Sequence, residues 1–225
     1  MSYEPIEPFI EHRWEPRSFW LRKHRPVGTR FLIARMDRGS PASPAARGRI
    51  PILLDIRRAF GSGGHGTTEG CLVALERSVR GGERVLDLGT GSGILAIAAR
   101  KLGASQVTAV DIAESACGET RANLHLNGIR EGVRVLHGGI EAAGGRYDIL
   151  LANLRTAILV HIMEKIMERM ASSGIQIVSG IRESEYHPFE SYLRRFPLEA
   201  VETIGIRGWM TVVSRRRGPG EGDPL

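Results

Sequence analysis

Two glycine-rich stretches of this chain carry residue types that can do chemistry. The first, AFGSGGHGTT at 59–68, surrounds His65 with four glycines, a serine and two threonines. The second, VLDLGTGSGIL, sets Gly89, Gly91 and Gly93 directly after an apolar run, with Asp111 closing the next such run about twenty residues on. Glycines after a strand let a nucleotide or nucleoside approach the backbone, and an ionised carboxylate at the end of the following strand can accept both ribose hydroxyls. The dinucleotide fingerprint G-x-G-x-x-G needs a glycine where this chain has Ile94. Asp87, two residues before Gly89, would repel a pyrophosphate and favours a ligand that carries positive charge. S-adenosylmethionine has an ammonium, a sulfonium and no phosphate, and it is the cofactor expected here. The alternative is a tight strand-to-helix turn that binds nothing.

The stretch YDILLANLRTAIL supplies the candidate reactive end. Asn153 closes a strand, and its carboxamide can accept hydrogen bonds from a substrate amine and aim the nitrogen lone pair. The other reading of Asn153 is a strand-end residue closing a turn.

These residues need a scaffold, and the periodicity describes one. RVLDL, QVTAVD, VRVLHG, YDILLAN and IQIVSG read as strands, and ILAIAARKLG as a helix closed by Gly103. Apolar spacing at Leu72, Leu75 and Val79 predicts a helix over Thr67–Val79, its start capped by the two threonines. Further helices are expected through ESACGETRANLHLNG, over 156–170 with Ile158, Ile162 and Ile166 on one face, and near 183–194. RFLIARM and IPILLDI precede the first loop as short strands, and EAVETIGI and WMTVVSR end the pattern as a strand pair. Strands alternating with helices imply an α/β fold: a Rossmann-like, doubly wound, seven-stranded, mostly parallel sheet with an antiparallel edge.

Composition narrows the class. The chain of 225 residues is 42% hydrophobic, enough for one sizeable core. Cys71 and Cys117 lie far apart, which supports neither a disulfide framework nor a zinc site, and a reducing cytoplasm is expected. No apolar run reaches the ~18 residues of a membrane helix. The net charge is +6, with Arg13, Arg17, Arg22, Lys23, Arg25 and Arg30 interleaved with Trp14, Phe19 and Trp20. This reads as a basic arm whose aromatics pack on the main domain, with RNA contact as the alternative. The expected organisation is a short basic extension over 1–49, a methyltransferase domain over 50–216 and a disordered tail over 217–225.

Taken together, AFGSGGHGTTEGCLVALE, VLDLGTGSGILAIAARKLGA, VDI, YDILLANL, IVSGI and GWMTVV resemble the ribosomal protein L11 methyltransferase family (PrmA) over roughly residues 50–215. The resemblance implies a class I methyltransferase fold, with the first loop covering the methionine side of the cofactor. Phe60, Gly61, His65 and Thr68 then help to build the pocket. The candidate cofactor-binding set is Phe60, Gly61, Thr68, Asp87, Gly89, Thr90, Gly91, Asp111, Ile112, Gly139, Ile140 and Asn153; the candidate catalytic set is Asn153, Leu154 and His65. No metal is needed for methyl transfer. The implied acceptor is a protein amine, a lysine or an N-terminal amine, a ribosomal protein being the family's own substrate; RNA or a small-molecule amine is the alternative. The chain departs from the family pattern at Ser62, at Arg155 after the ANL motif, at Gly208 before Trp209 and in the short segment ahead of the first loop, all on the side expected to meet the acceptor.

Overall fold

The computed structural model describes residues 24–36, 48–55, 61 and 63–217. Three short strands come first: β1 (His24–Val27), β2 (Phe31–Arg35) and β3 (Ile50–Leu54), with β1 antiparallel and β3 parallel to β2. Helix α1 (Gly66–Ser78) leads into an alternating series of β4 (Arg84–Leu88), α2 (Ile94–Leu102), β5 (Gln106–Asp111), α3 (Glu114–Leu126) and β6 (Val133–His137). The series continues with β7 (Tyr147–Asn153), α4 (Thr156–Arg169), β8 (Met170–Arg182), α5 (Tyr186–Leu193), β9 (Leu198–Ile206) and β10 (Trp209–Arg216).

The large sheet has seven strands in the order β6-β5-β4-β7-β8-β10-β9. All neighbouring pairs are parallel except those made by β10, which runs antiparallel to both β8 and β9. The expected α/β sheet is present, with its antiparallel strand one place in from the edge. Winding proceeds outward from β4 through β5 to β6, then restarts at β7 and proceeds the other way, so the topological switch point lies between β4 and β7. Open α/β sheets bind ligands at such a point, beyond the carboxyl ends of the strands.

The central strands are near-continuous apolar runs because both sheet faces are covered. One face packs against α1 and α2 through residues such as Leu72, Leu75, Ile97 and Leu102. The other packs against α4 and α5 through Leu159, Met163, Ile166 and Phe189. The face foreseen for α4 therefore splits: Ile166 is fully buried, whereas Ile158 is 38% exposed.

The small sheet shares the first of these cores, since Val27, Phe31, Ile33, Ile52 and Leu54 pack with α1 and α2. Glu76 of α1 accepts the Thr29 and Arg30 amides at 3.0 and 3.1 Å, pinning the β1–β2 turn. Asn127 pairs with both the N–H and the C=O of Leu53 at 3.0 and 2.7 Å, so a side-chain amide covers one edge of β3. The sheet crosses the boundary drawn at residue 50, because β2 and β3 pair in register over 31–35 and 50–54. Arg13, Trp14, Arg17, Phe19, Trp20, Arg22 and Lys23 of the basic arm lie outside the described residues, as does most of the expected tail. Arg25 is 5% exposed and pairs with Glu69, so this member of the basic run is a buried ion-pair partner. Among the described residues no helix is long and apolar enough to cross a membrane.

Gly70 brings α1 against β10: a Cβ there would fall inside van der Waals contact of Thr211 Oγ1. Thr211 is 1% exposed, and its hydroxyl donates to Ser179 Oγ at 2.8 Å, so it cannot turn away cheaply. Alanine ordinarily stabilises a helix interior by about 1 kcal/mol over glycine. Here the sign should reverse, with Gly70→Ala destabilising by about 1–3 kcal/mol as an overpacked contact. A urea midpoint at or above that of the wild type would show that α1 does not pack this tightly.

Candidate functional site

The site is built where β5, β4 and β7 end side by side. Register pairs Leu88 with Val110 and with Ala152, so Asp111, Gly89 and Asn153 follow in line, one residue further along each strand. Gly89, Gly91 and Gly93 have φ of +72°, +56° and +82°, a left-handed run that turns β4 into α2 and that side-chain-bearing residues rarely adopt. The Gly89 and Thr90 amides donate to Val110 O at 2.8 and 3.0 Å, which closes the turn against β5.

In front of these strand ends lies a cavity of about 800 Å³. Gly89, Gly91 and Asp111 line it together with Ile112, Gly139 and Ile140, and Asn153, Leu154 and His65 form another part of the wall. The geometry thus brings together most of the candidate residues. Asp111 accepts the Gly91 amide on Oδ2 at 2.9 Å and the Ala113 amide on Oδ1 at 3.0 Å, so each oxygen keeps a free lone-pair direction. Ile112, 79% exposed, lines the cavity beside Asp111.

Four candidates stand behind the wall. Asp87, 1% exposed, accepts Thr90 Oγ1 at 2.6 Å and the Ala96 amide at 3.1 Å, both on Oδ2. It ties the turn to the first residues of α2, while its Oδ1 is buried with no hydrogen-bond partner among the described groups. Thr90 serves that carboxylate. Thr68 is fully buried in the first turn of α1 and accepts Asn153 Nδ2 at 3.5 Å, which turns the carboxamide. Gly61 is buried beneath Ser92, whose hydroxyl donates to its carbonyl at 2.8 Å. Phe60 lies outside the described residues.

The start of α1 differs from the threonine caps expected of it. His65 is the N-cap: its Nδ1 accepts the Thr67 amide at 3.4 Å and lies 2.9 Å from Thr67 Oγ1. Imidazole nitrogen reaches the helix amides here, whereas Thr67 and Thr68 already sit inside the first turn. Burial, and then the Arg207 guanidinium, hold His65 below the usual imidazole range, which keeps the ring neutral and the cap intact at neutral pH.

The cavity also has walls outside the candidate cofactor-binding and catalytic sets. Ile158, His161, Ile162 and Lys165 come from one side of α4, Arg155 from its N-cap and Trp209 from the start of β10. The Trp209 ring lies 4.8 Å from that of His65 and has the Arg182 guanidinium 5.0 Å above it. Gly180, at φ +95°, also lines the cavity, and Leu154 O packs so closely on it that a Cβ would collide. Its signal was the SG in IVSGI. For Ile158 and Ile162 the signal was helical spacing, which does not tell a core face from a cavity wall.

Burial raises the Asp87 carboxyl to about 6, offset in part by the bonds from Thr90 and Ala96, with the nearby Asp111 charge adding to the rise. A carboxyl whose folded value lies above its unfolded one stabilises fully below the unfolded value and loses that contribution as pH rises through the folded one. Asp87→Asn keeps one carbonyl oxygen for Thr90 and Ala96 but does not titrate. Relative to wild type the variant should therefore gain about 2 kcal/mol between pH 4 and pH 7. Chemical unfolding at both pH values measures this, and a pH-independent difference would mean that Asp87 is not a buried charge.

Comparison with known proteins gives the lineage. The family model described as ribosomal protein L11 methyltransferase (PrmA) matches residues 6–217. The ribosomal protein L11 methyltransferase of Pelobacter propionicus is 37% identical over 206 residues, covering 88% of this chain and 66% of that one. Its counterpart from an Exiguobacterium strain is 33% identical over 198 residues, covering 88% and 63%. The crystal structure of ribosomal protein L11 methylase from Lactobacillus delbrueckii subsp. bulgaricus superposes with a TM-score of 0.79 at 27% identity, covering 87% of this chain and all of that one. A methyltransferase structure complexed with SAH shares the fold at a TM-score of 0.57 and 13% identity, covering 67% of this chain and 50% of that one. The chain spans 63–66% of the length of these two curated relatives. With the motifs, the switch-point site and a match across almost its whole length, the chain belongs to the ribosomal protein L11 methyltransferase family.

Proposed function

We propose that this chain is an S-adenosylmethionine-dependent N-methyltransferase acting on protein amines, a lysine side chain or an N-terminal amine. The observation that carries the reading is the alignment of Asp111, Gly89 and Asn153 at the ends of three adjacent parallel strands, facing one cavity. The residues present fit the cofactor. Asp111 retains lone pairs for two ribose hydroxyls, and Ile112 and Ile140 offer apolar surface to a purine. The buried, half-unpartnered carboxylate of Asp87 favours positive charge nearby. When bound, S-adenosylmethionine supplies a methyl group activated by its sulfonium.

The chain's own residues would position the acceptor. Asn153 donates Nδ2 to Thr68, which leaves Oδ1 to accept an N–H from the incoming amine and to aim its lone pair. Arg155 at the cavity wall puts positive charge there, which disfavours an ammonium and favours the neutral, nucleophilic amine. Trp209, against His65, would shield that side from water once the acceptor is bound. His65 caps α1 through Nδ1, so its place in the catalytic set is that of a fixed neutral wall.

The relatives' names make a ribosomal protein the first acceptor to try, and a ribosomal substrate would place the reaction in the cytoplasm. Transfer of labelled methyl groups to purified ribosomes, with protein and RNA counted apart, tests this. Label in one small ribosomal protein is the expected result; label in RNA alone would move the acceptor class, and no transfer to any fraction would sink the proposal. Asp111→Ala should weaken cofactor binding by about 10- to 100-fold, the worth of hydrogen bonds to a charged group. Asn153→Ala should bind within about threefold of wild type and lose about 100-fold in turnover, as expected for lost orientation. Equal losses of affinity in both variants, measured by calorimetry, would refute this division of roles.

A further inference from the structure

The two glycine loops are joined by buried polar groups that the chemistry above does not use. Ser92 is fully buried and donates its hydroxyl to Gly61 O at 2.8 Å. The approach requires glycine at 61, where φ is +105° and a Cβ would stand 2.7 Å from Ser92 Oγ. Ser92 O in turn accepts Asn123 Nδ2 at 2.9 Å. Asn123, also fully buried, accepts the Asp55 amide on Oδ1 at 2.8 Å. Gly61 in the first loop is therefore held from the second loop, and Asp55 at the exit of β3 from the α3 residue that also grips that loop. Thr120, one helical turn before Asn123, donates to Gly91 O at 2.9 Å, so one face of α3 grips successive carbonyls of the second loop.

These bonds run in series behind the cavity wall. Asp111 holds the Gly91 amide, Thr120 holds the Gly91 carbonyl, and the next residue, Ser92, holds Gly61. The first loop has outer grips as well, where Arg25 donates to Gly63 O and Arg207 to Gly64 O. Ser92 differs from these because it reaches the loop from the residue next to Gly91, which lines the cavity. From this geometry we infer that Ser92 and Asn123 are positioning residues, holding the first glycine loop at a fixed distance from the strand ends. Their consequence for ligand affinity rests on the cofactor reading above; their hold on the loop does not.

The test uses Ser92→Ala, which removes one hydroxyl and little volume, with Ser78→Ala as control. Ser78 donates to Ala74 O within α1 and touches neither loop. Without ligand, the amides of Gly61 and of residues 63–68 should exchange hydrogen about fivefold to tenfold faster in Ser92→Ala than in wild type, as one lost hydrogen bond predicts. Affinity for S-adenosylhomocysteine should fall by a similar factor, and Ser78→Ala should change neither quantity at the loop. Asn123→Asp, which keeps the acceptor for Asp55 and loses the donor to Ser92, should shift the loop in the same direction. Unchanged exchange at these amides would overturn the inference, and so would a uniform rise along the whole chain, which reports general loss of stability. Local acceleration in a protein whose wild type binds no S-adenosylhomocysteine would remove the cofactor reading and leave the tie between the loops standing.

Discussion

The hydrogen bond from the Gly91 amide to the Asp111 carboxylate joins the turn after β4 to the end of β5, and the rest of the site is arranged around it. Three left-handed glycines let the backbone come close enough to make that bond. Their turn in turn leaves β4 and β7 with free ends at a switch point, so a cavity opens there instead of being filled by a crossover. Asp87 and Thr90 then lock the turn onto α2 from behind.

Asp87 introduces a tension. It is buried, it carries hydrogen bonds on one oxygen only, and its ionisation in the fold is costly. A fully hydrogen-bonded neutral residue would make a more stable turn, since unpaired buried polar groups destabilise. Such a residue persists where the local charge serves the site, and a cationic ligand near the strand end is the partner that would relieve it. Elsewhere on the cavity wall Arg155 and a neutral His65 add no negative charge.

Local features of the site were legible in the sequence and distant ones were not. Gly89, Gly91, Gly93 and Asp111 could be read because a glycine turn and a strand-end carboxylate are set by residues next to one another. The parallel sheet could be read because apolar strands alternated with helical spacing. The insertion of β10 between β8 and β9, and the pairing of β2 with β3 across residue 50, depend on which distant segments meet, and periodicity carries no record of that. Threonine is the commoner cap, but at α1 the cap is His65, which acts through a ring nitrogen two residues before Thr67. Ser92 reads as a spacer between glycines until Gly61 is brought 2.8 Å from its hydroxyl. Ile158, Ile162 and Trp209 are apolar residues at regular positions, and only the shape of the cavity separates their role from that of the core.

The central claim is that the cavity at the ends of β5, β4 and β7 holds S-adenosylmethionine with its reactive end toward Asn153. A crystal structure of the chain with S-adenosylhomocysteine tests this most directly. The account predicts both ribose hydroxyls on the Asp111 carboxylate, the purine beside Ile112 and the thioether sulfur on the Asn153 side of Gly89. A ligand bound elsewhere on the molecule, or one whose ribose does not meet Asp111, would contradict it.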